Sequence, residues 1–343
     1  MPQFLTRIAL RRSCLTGLAQ RASAGVVVLG VMMSARNAFA EPSKLAPEIG
    51  WDHGEIETAR TGALGGATRA SGNSTTAIWS NPASMAATKV YHIEGLAEMW
   101  PEARRQSYGI AAVDSVMNSY QIAGGVGAAY TLQDPDGLKR KAVDVRVGLA
   151  MPLGDRFFAG VGMKYLRLEQ NGLGPLGRSL ASGGLSKSAI INGWTFDAGV
   201  AARPIEWLTI GLLGTNLTNP GNSFQPTGFG GGLSIGNQDF SLSGDVVADF
   251  TTYQKTTLRA MGGGEYLAAD RFPLRLGYRF DDGEKTHAIS GGAGYIDRSF
   301  GVSASIRRTV SGEASTAIFL GLQFFVESTG ATRDPTMPNG GYF

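Results

Sequence analysis

His53, His92 and His287 are the only imidazoles in the chain. Zinc ligands recur at short, fixed spacings. No two of these histidines stand at such a spacing, so metal catalysis is not expected. Two carboxylate pairs are better placed: Glu94 with Glu98, and Asp245 with Asp249. On extended backbone each pair shares a face, and paired carboxylates can divide acid and base work. That sharing is automatic on a strand, and charge facing the interior of a barrel is ordinary, so no enzyme is expected. The runs Gly124-Gly125-Val126-Gly127, Gly230-Gly231-Gly232 and Gly262-Gly263-Gly264 lack the Lys-Ser/Thr of a phosphate-binding loop. They lie inside alternating segments and read as places of close packing or bending. Asp52, His53, Glu55 and Glu57 could hold a cation, but read more simply as a solvated acidic lead-in. Neither a metal nor a cofactor is expected.

The elements that must carry these residues follow from composition and period. Of 343 residues, 43% are hydrophobic and 17% charged, against about 25% charged in an ordinary soluble domain. The disordered class is excluded. A spanning helix needs roughly 18 or more consecutive apolar residues, and the best run, residues 24–33, is much shorter. A bundle of membrane helices is excluded as well. What remains is a soluble β-rich protein or an outer-membrane β-barrel, whose alternating strands give no hydropathy peak.

The N-terminus bears on the compartment. Arg7, Arg11, Arg12 and Arg21 precede an apolar stretch over 22–33, which gives way to Ala38-Phe39-Ala40. This is the order of a secretory signal peptide. Arg11-Arg12 could be read as a twin-arginine signal, but Ser13, Cys14 and Leu15 do not help that reading. Cleavage after Ala40 would remove Arg7, Arg11, Arg12, Arg21 and Arg36, leaving 26 of the 31 Lys+Arg against 28 Asp+Glu. The formal charge of +3 therefore belongs to the precursor and gives no reason to expect nucleic acid. The single cysteine, Cys14, would also go, so no disulfide would hold the exported chain.

Beyond Thr88 the period is two. Val143, Val145, Val147, Leu149 and Met151 alternate with Asp144, Arg146, Gly148 and Ala150; Leu274, Leu276, Tyr278 and Phe280 alternate with Arg275 and Arg279. The segments are longer than the 5 to 6 residues usual in soluble sheets and suit the roughly 9 to 11 of a tilted membrane strand. Turn clusters such as Pro152-Leu153-Gly154-Asp155 and Gly236-Asn237-Gln238-Asp239 separate about fourteen of them. With the first strand outward-going, the even connections are tight and the longest, 171–190, falls on the external side, as in an up-and-down barrel. Trp207, Phe157, Phe158, Phe272, Tyr295 and Phe300 near the tight turns, and Trp100, Tyr130, Tyr165 and Tyr278 toward the other ends, are expected to form aromatic girdles. Gly321, Phe324 and Val326 in the final strand resemble the signal by which barrels are handed to the outer-membrane assembly machinery, although Phe319 stands where a polar residue is usual.

Between the leader and the first strand lies Thr61-Gly62-Ala63-Leu64-Gly65-Gly66-Ala67-Thr68-Arg69-Ala70, and later Asn81-Pro82-Ala83. The segment is rich in small residues and does not alternate. It resembles the N-terminal signature of the FadL family of long-chain fatty acid outer-membrane transporters and of the related PorV/PorQ proteins. Asn73, Ser74, Thr75 and Thr76 stand where acidic residues are common in that family. The resemblance implies an all-β, transmembrane antiparallel β-barrel of about 14 strands with an N-terminal lumenal hatch that includes Gly62, Gly65, Gly66, Asn81, Pro82 and Ala83. The small residues suit a backbone lying close to a barrel wall, and Asn81 before Pro82 suits an extended or turn conformation. The expected organisation is a signal peptide at 1–40, a periplasmic lead-in and hatch at 41–87, the barrel at 88–326 and a polar tail at 327–343.

Two functions compete. One is a passive channel for hydrophobic, fatty-acid-like molecules, in which Leu173, Leu176, Leu180 and Leu185 of the longest loop capture ligand. The other is a PorV-like barrel that binds exported proteins in secretion or surface attachment. The leucines of the 171–190 loop favour transport. Outer-membrane lipid, the barrel assembly machinery and either a small hydrophobic ligand or an exported protein are the expected partners.

Overall fold

In the computed structural model the described residues are 55–116, 122–133, 139–170, 190–220, 224–237, 239–252 and 255–325. The leader at 1–40, the loop leucines Leu173, Leu176, Leu180 and Leu185, and the tail at 327–343 lie outside them. Fourteen strands form one closed antiparallel barrel, each paired with its sequence neighbour, and β14 pairs with β1. They are β1 (Tyr91–Trp100), β2 (Arg105–Asp114), β3 (Ala123–Gln133), β4 (Arg140–Pro152), β5 (Phe157–Glu169), β6 (Ile190–Ile205) and β7 (Leu208–Thr215). The second half comprises β8 (Gly228–Gly236), β9 (Phe240–Asp249), β10 (Thr257–Ala268), β11 (Phe272–Asp281), β12 (Thr286–Ile296), β13 (Phe300–Ser311) and β14 (Thr316–Phe325). The seam runs in continuous register from His92 opposite Phe325 to Met99 opposite Ile318, so no strand edge is left open.

Alternation sets the two faces. Ile110, Val126, Val147, Leu149, Leu233, Leu242, Leu274 and Leu276 are exposed on the outer surface. Their strand neighbours Arg146, Ser243, Asp245, Arg275 and Arg279 are buried inside. A soluble sandwich would place these sets the other way round; an apolar exterior around a charged interior is the arrangement of a membrane barrel. The tight turns close as their residues dictate: Asn237 accepts from the backbone N–H groups of Asp239 and Phe240 at 2.9 Å, an Asx turn. Five of the six connections from an even strand to the following odd strand are short, including 206–207 and 269–271, the exception being 115–122, whereas 170–189 and 216–227 join odd to even strands. We call the two ends the tight-turn rim and the long-loop rim.

The girdles need one correction. Phe272, Tyr295 and Phe300 do form a chain of rings at the tight-turn rim, 5.5 and 5.8 Å apart, and Tyr165 stacks near Trp194 at 4.6 Å toward the other. Trp100 and Phe158, however, point inward and are buried. Trp100 meets Phe319 edge-on at 5.5 Å and lies beneath the Arg105 guanidinium. Their strand parity, shared with Glu98 and Gly160 respectively, decides the face, and aromatic character does not override it.

The interior is filled by the chain that precedes β1. It contains two short helices, α1 (Ala59–Ala63) and α2 (Ser74–Trp79), and a 3-10 turn, Pro82–Ala87. Thr58 caps α1 by accepting from Thr61 N at 3.2 Å. Helices this short do not hold in water by themselves; the surrounding wall holds them.

Candidate functional site

The lumenal segment has two halves of different chemistry. Residues 55–69 carry Glu55, Glu57, Arg60 and Arg69; residues 70–88 carry no Asp, Glu, Lys, Arg or His.

Each charge of the first half meets an opposite charge on the wall. Glu57 binds Arg279 of β11 and, at 2.6 Å, Arg307 of β13, and its own N–H donates to Glu98 of β1. Burial pushes the Glu57 carboxyl up, but the Arg279 and Arg307 guanidiniums together outweigh it and hold it at about 2, below the ordinary 4.5. The expectation of a solvated acidic lead-in is therefore corrected at this residue, which is only 4% exposed. Arg60 donates to Glu265 of β10 at 3.1 Å, and Glu265 also takes Arg275. Arg69 donates its backbone N–H to Asp245 of β9 at 2.8 Å and reaches Glu55 at 3.4 Å. Wall hydroxyls bind the backbone as well: Ser305 donates to Ala59 O at 2.8 Å and Ser290 to Ala63 O at 2.7 Å. Arg279 donates to Gly65 O at 2.8 Å. Gly62 lies under the Phe319 ring and Gly66 beside Arg279. Gly65 has φ +66°, and a Cβ there would stand 2.6 Å from Tyr278 O, so the position requires glycine on both counts.

The second half carries no charge of its own, and from the wall the Arg146 guanidinium of β4 donates to Trp79 O at 3.1 Å. Ser74 Oγ lies 2.8 Å from His92 Nδ1, and Thr75 donates to Glu94 at 2.6 Å. Ile78, Trp79 and Met85 pack with Ile56 and with Leu96, Val113, Ala129 and Ala150 of β1 to β4. Asn81 accepts from Ala83 N at 3.2 Å and donates to Arg69 O at 3.0 Å and to Val200 O of β6 at 3.2 Å. Pro82 begins the 3-10 turn, where its missing N–H costs nothing. Ala83 is fully buried against Phe158 and Ala201. The structure thus brings Gly62, Gly65 and Gly66 to the β10–β14 side and Asn81, Pro82 and Ala83 to the β5–β7 side.

Between the segment and β4–β7 lies a cavity open to solvent. Its lining is mixed: Ile56, Trp79, Leu213 and Phe224 are apolar, and Glu55, Glu57, Arg69, Arg146 and Lys164 are charged. Arg146 is paired with Asp144 at 3.0 Å and Lys164 with Asp197 at 2.7 Å. Sequence reasoning did not find Phe224, Leu213 or Lys164. The inward parity of Lys164 within β5 was a usable signal; Phe224, in the connection after β7, offers none.

The carboxylate pairs are placed apart in role. Glu94 and Glu98 share the inner face of β1 but bind α2 and the Glu57 N–H respectively. Asp245 holds Arg69, while Asp249 accepts from Thr251 and Thr252 N–H in the turn after β9.

The chain is similar in fold to the Ralstonia pickettii toluene transporter TbuX, with a TM-score of 0.60 and 13% identity over 80% of this chain and 100% of that one. The CymD monoaromatic hydrocarbon channel gives 0.58 and 12%, covering 81% and 99%. A Pseudomonas aeruginosa FadL homologue gives 0.53 and 14%, covering 78% and 98%. No protein-family model matches the sequence, and no curated protein matches it. The architecture, a closed 14-strand antiparallel barrel, is that of these FadL-type barrels.

Proposed function

We propose that this protein is an outer-membrane channel through which small hydrophobic molecules pass passively, with residues 61–85 acting as a hatch. One observation carries the reading: the lumen is occupied by a segment that leaves beside it a cleft into which Ile56, Trp79, Leu213 and Phe224 are turned. The similar structures, a toluene transporter and a monoaromatic hydrocarbon channel, point to the same ligand class. On this reading the chain is exported by the leader at 1–40 and inserted by the barrel assembly machinery. The tight-turn rim faces the periplasm. Leu173, Leu176, Leu180 and Leu185 capture ligand at the long-loop rim, and Gly62, Gly65, Gly66, Asn81, Pro82 and Ala83 seat the hatch.

The test is entry of N-phenylnaphthylamine, a dye that an intact outer membrane excludes, into Gram-negative cells expressing the chain. Expression should speed dye entry, and deletion of 61–77 should speed it further. If neither changes the rate while a stoichiometric exported protein co-purifies with the barrel, the protein-binding reading replaces this one.

A further inference from the structure

A second, smaller cavity lies nearer the tight-turn rim against the same wall strands. It is bounded by Phe158 of β5, Ala201 of β6 and Thr209 of β7, whereas the first is bounded by Lys164 of β5 and by Leu213 and Thr215 of β7. Since β5 and β7 both run from the tight-turn rim to the long-loop rim, the two cavities are stacked along one strip of wall. Between them the strip bears glycines: Gly160 and Gly162 on β5, Gly199 on β6 and Gly211 on β7.

Each glycine seats one piece of a thin partition. A Cβ on Gly160 would lie 2.4 Å from Ala83 N, and one on Gly199 2.1 Å from Asn81 Oδ1. On Gly211 it would lie 2.2 Å from Arg69 O, and on Gly162 3.7 Å from Pro82. The Asn81 amide ties the pieces together by donating to Arg69 O and Val200 O. Residues 70–88 bring no charge to this wall, whereas Glu57 and Arg60 fix the other half to β10, β11 and β13 through buried ion pairs. Partial opening of a structure begins where its contacts are weakest.

We propose that ligand passes along the β5–β7 wall from the upper cavity to the lower, and that Asn81–Ala83, latched by Asn81 to Arg69 O and Val200 O, is the moving constriction while residues 57–69, with Arg69 held by Asp245, stay fixed to the wall. This rests on the transport reading. Two engineered disulfides separate the halves, in a Cys14→Ser background that leaves no other cysteine. Pro82→Cys with Gly162→Cys joins Cβ positions 4.0 Å apart and pins the constriction; Ala59→Cys with Gly321→Cys joins positions 3.6 Å apart and pins α1. Both distances suit a disulfide, whose Cβ atoms stand about 3.5–4.5 Å apart. Heat-modifiability on a gel reports assembly.

In intact cells the oxidised 82–162 protein should lose N-phenylnaphthylamine entry and regain it with dithiothreitol, and the oxidised 59–321 protein should keep it. Undiminished entry through the first, or loss through the second, overturns the proposal while leaving transport standing. No entry through either reduced protein overturns the transport reading, and this one with it. Asn81→Ala serves where a cross-link does not form: it should speed entry in an assembled barrel, and an unchanged or slower rate counts against the latch.

Discussion

Gly65 and Gly277 face each other so closely that a Cβ on Gly277 would lie 2.4 Å from the Gly65 nitrogen. Gly277 is therefore required by the lumenal segment, and Gly65, whose own Cβ would meet Tyr278 O at 2.6 Å, by the next residue of β11. The same relation recurs around the wall, where the filler and the inner face of the strands are matched backbone to backbone.

Gly65→Ala should loosen the segment without preventing barrel assembly. The residue would be held at φ +66° and pressed against Tyr278 O, and strain of this kind costs on the order of 1–3 kcal/mol. The barrel ladder does not pass through the segment, so the heat-modifiable band should persist while proteolysis within 55–88 accelerates. Gly65→Trp should do the same more strongly. Loss of the folded band in the alanine variant would show that the segment is needed for assembly itself.

Leu276 and Arg275 test the two faces. Leu276 is 73% exposed, the most exposed large apolar side chain among the described residues. Its neighbours Gly264 and Gly291 leave it uncovered on both flanking strands. A cation at the lipid midplane costs about 2–4 kcal/mol, so Leu276→Arg should reduce the yield of folded barrel. Arg275→Leu removes one of two arginines from Glu265 and leaves Arg60 in place. It should weaken docking of the segment, seen as faster proteolysis, with assembly retained. The reverse order on a heat-modifiability gel would count against the assignment of faces.

The outer surface of this protein was legible in the sequence because lipid imposes a strict period of two on Leu274, Leu276 and their counterparts. Strand number and turn parity followed from the same signal. The inner surface was legible only in part. Trp100 and Phe158 carried the right parity, yet their aromatic character pointed to the girdles. The partners of Glu57 stand 222 and 250 residues away in the chain, and a pairing of that range leaves no local mark. The small residues of the lumenal segment, by contrast, carried their own physical reason, since only a chain stripped of side chains can lie this close to the wall.

Acid should release the first half of the segment through Glu57. Its carboxyl is held at about 2, below an ordinary 4.5, so its folded-state pKa is depressed. A group of this kind contributes stability that is fully present above its unfolded value and is lost as pH falls toward the folded one. Docking of residues 55–66 should therefore be flat in this contribution from neutrality down to about pH 5, then weaken between about 4.5 and 2 as the ion pairs to Arg279 and Arg307 lose their anion. Hydrogen exchange of the 55–66 amides, corrected for the intrinsic dependence on pH, reads this directly. Other carboxylates also line the lumen, so the comparison is with Glu57→Gln, which should exchange faster at pH 7 and show a shallower rise on acidification. Equal slopes in the two proteins would assign the acid response to the wall carboxylates rather than to Glu57.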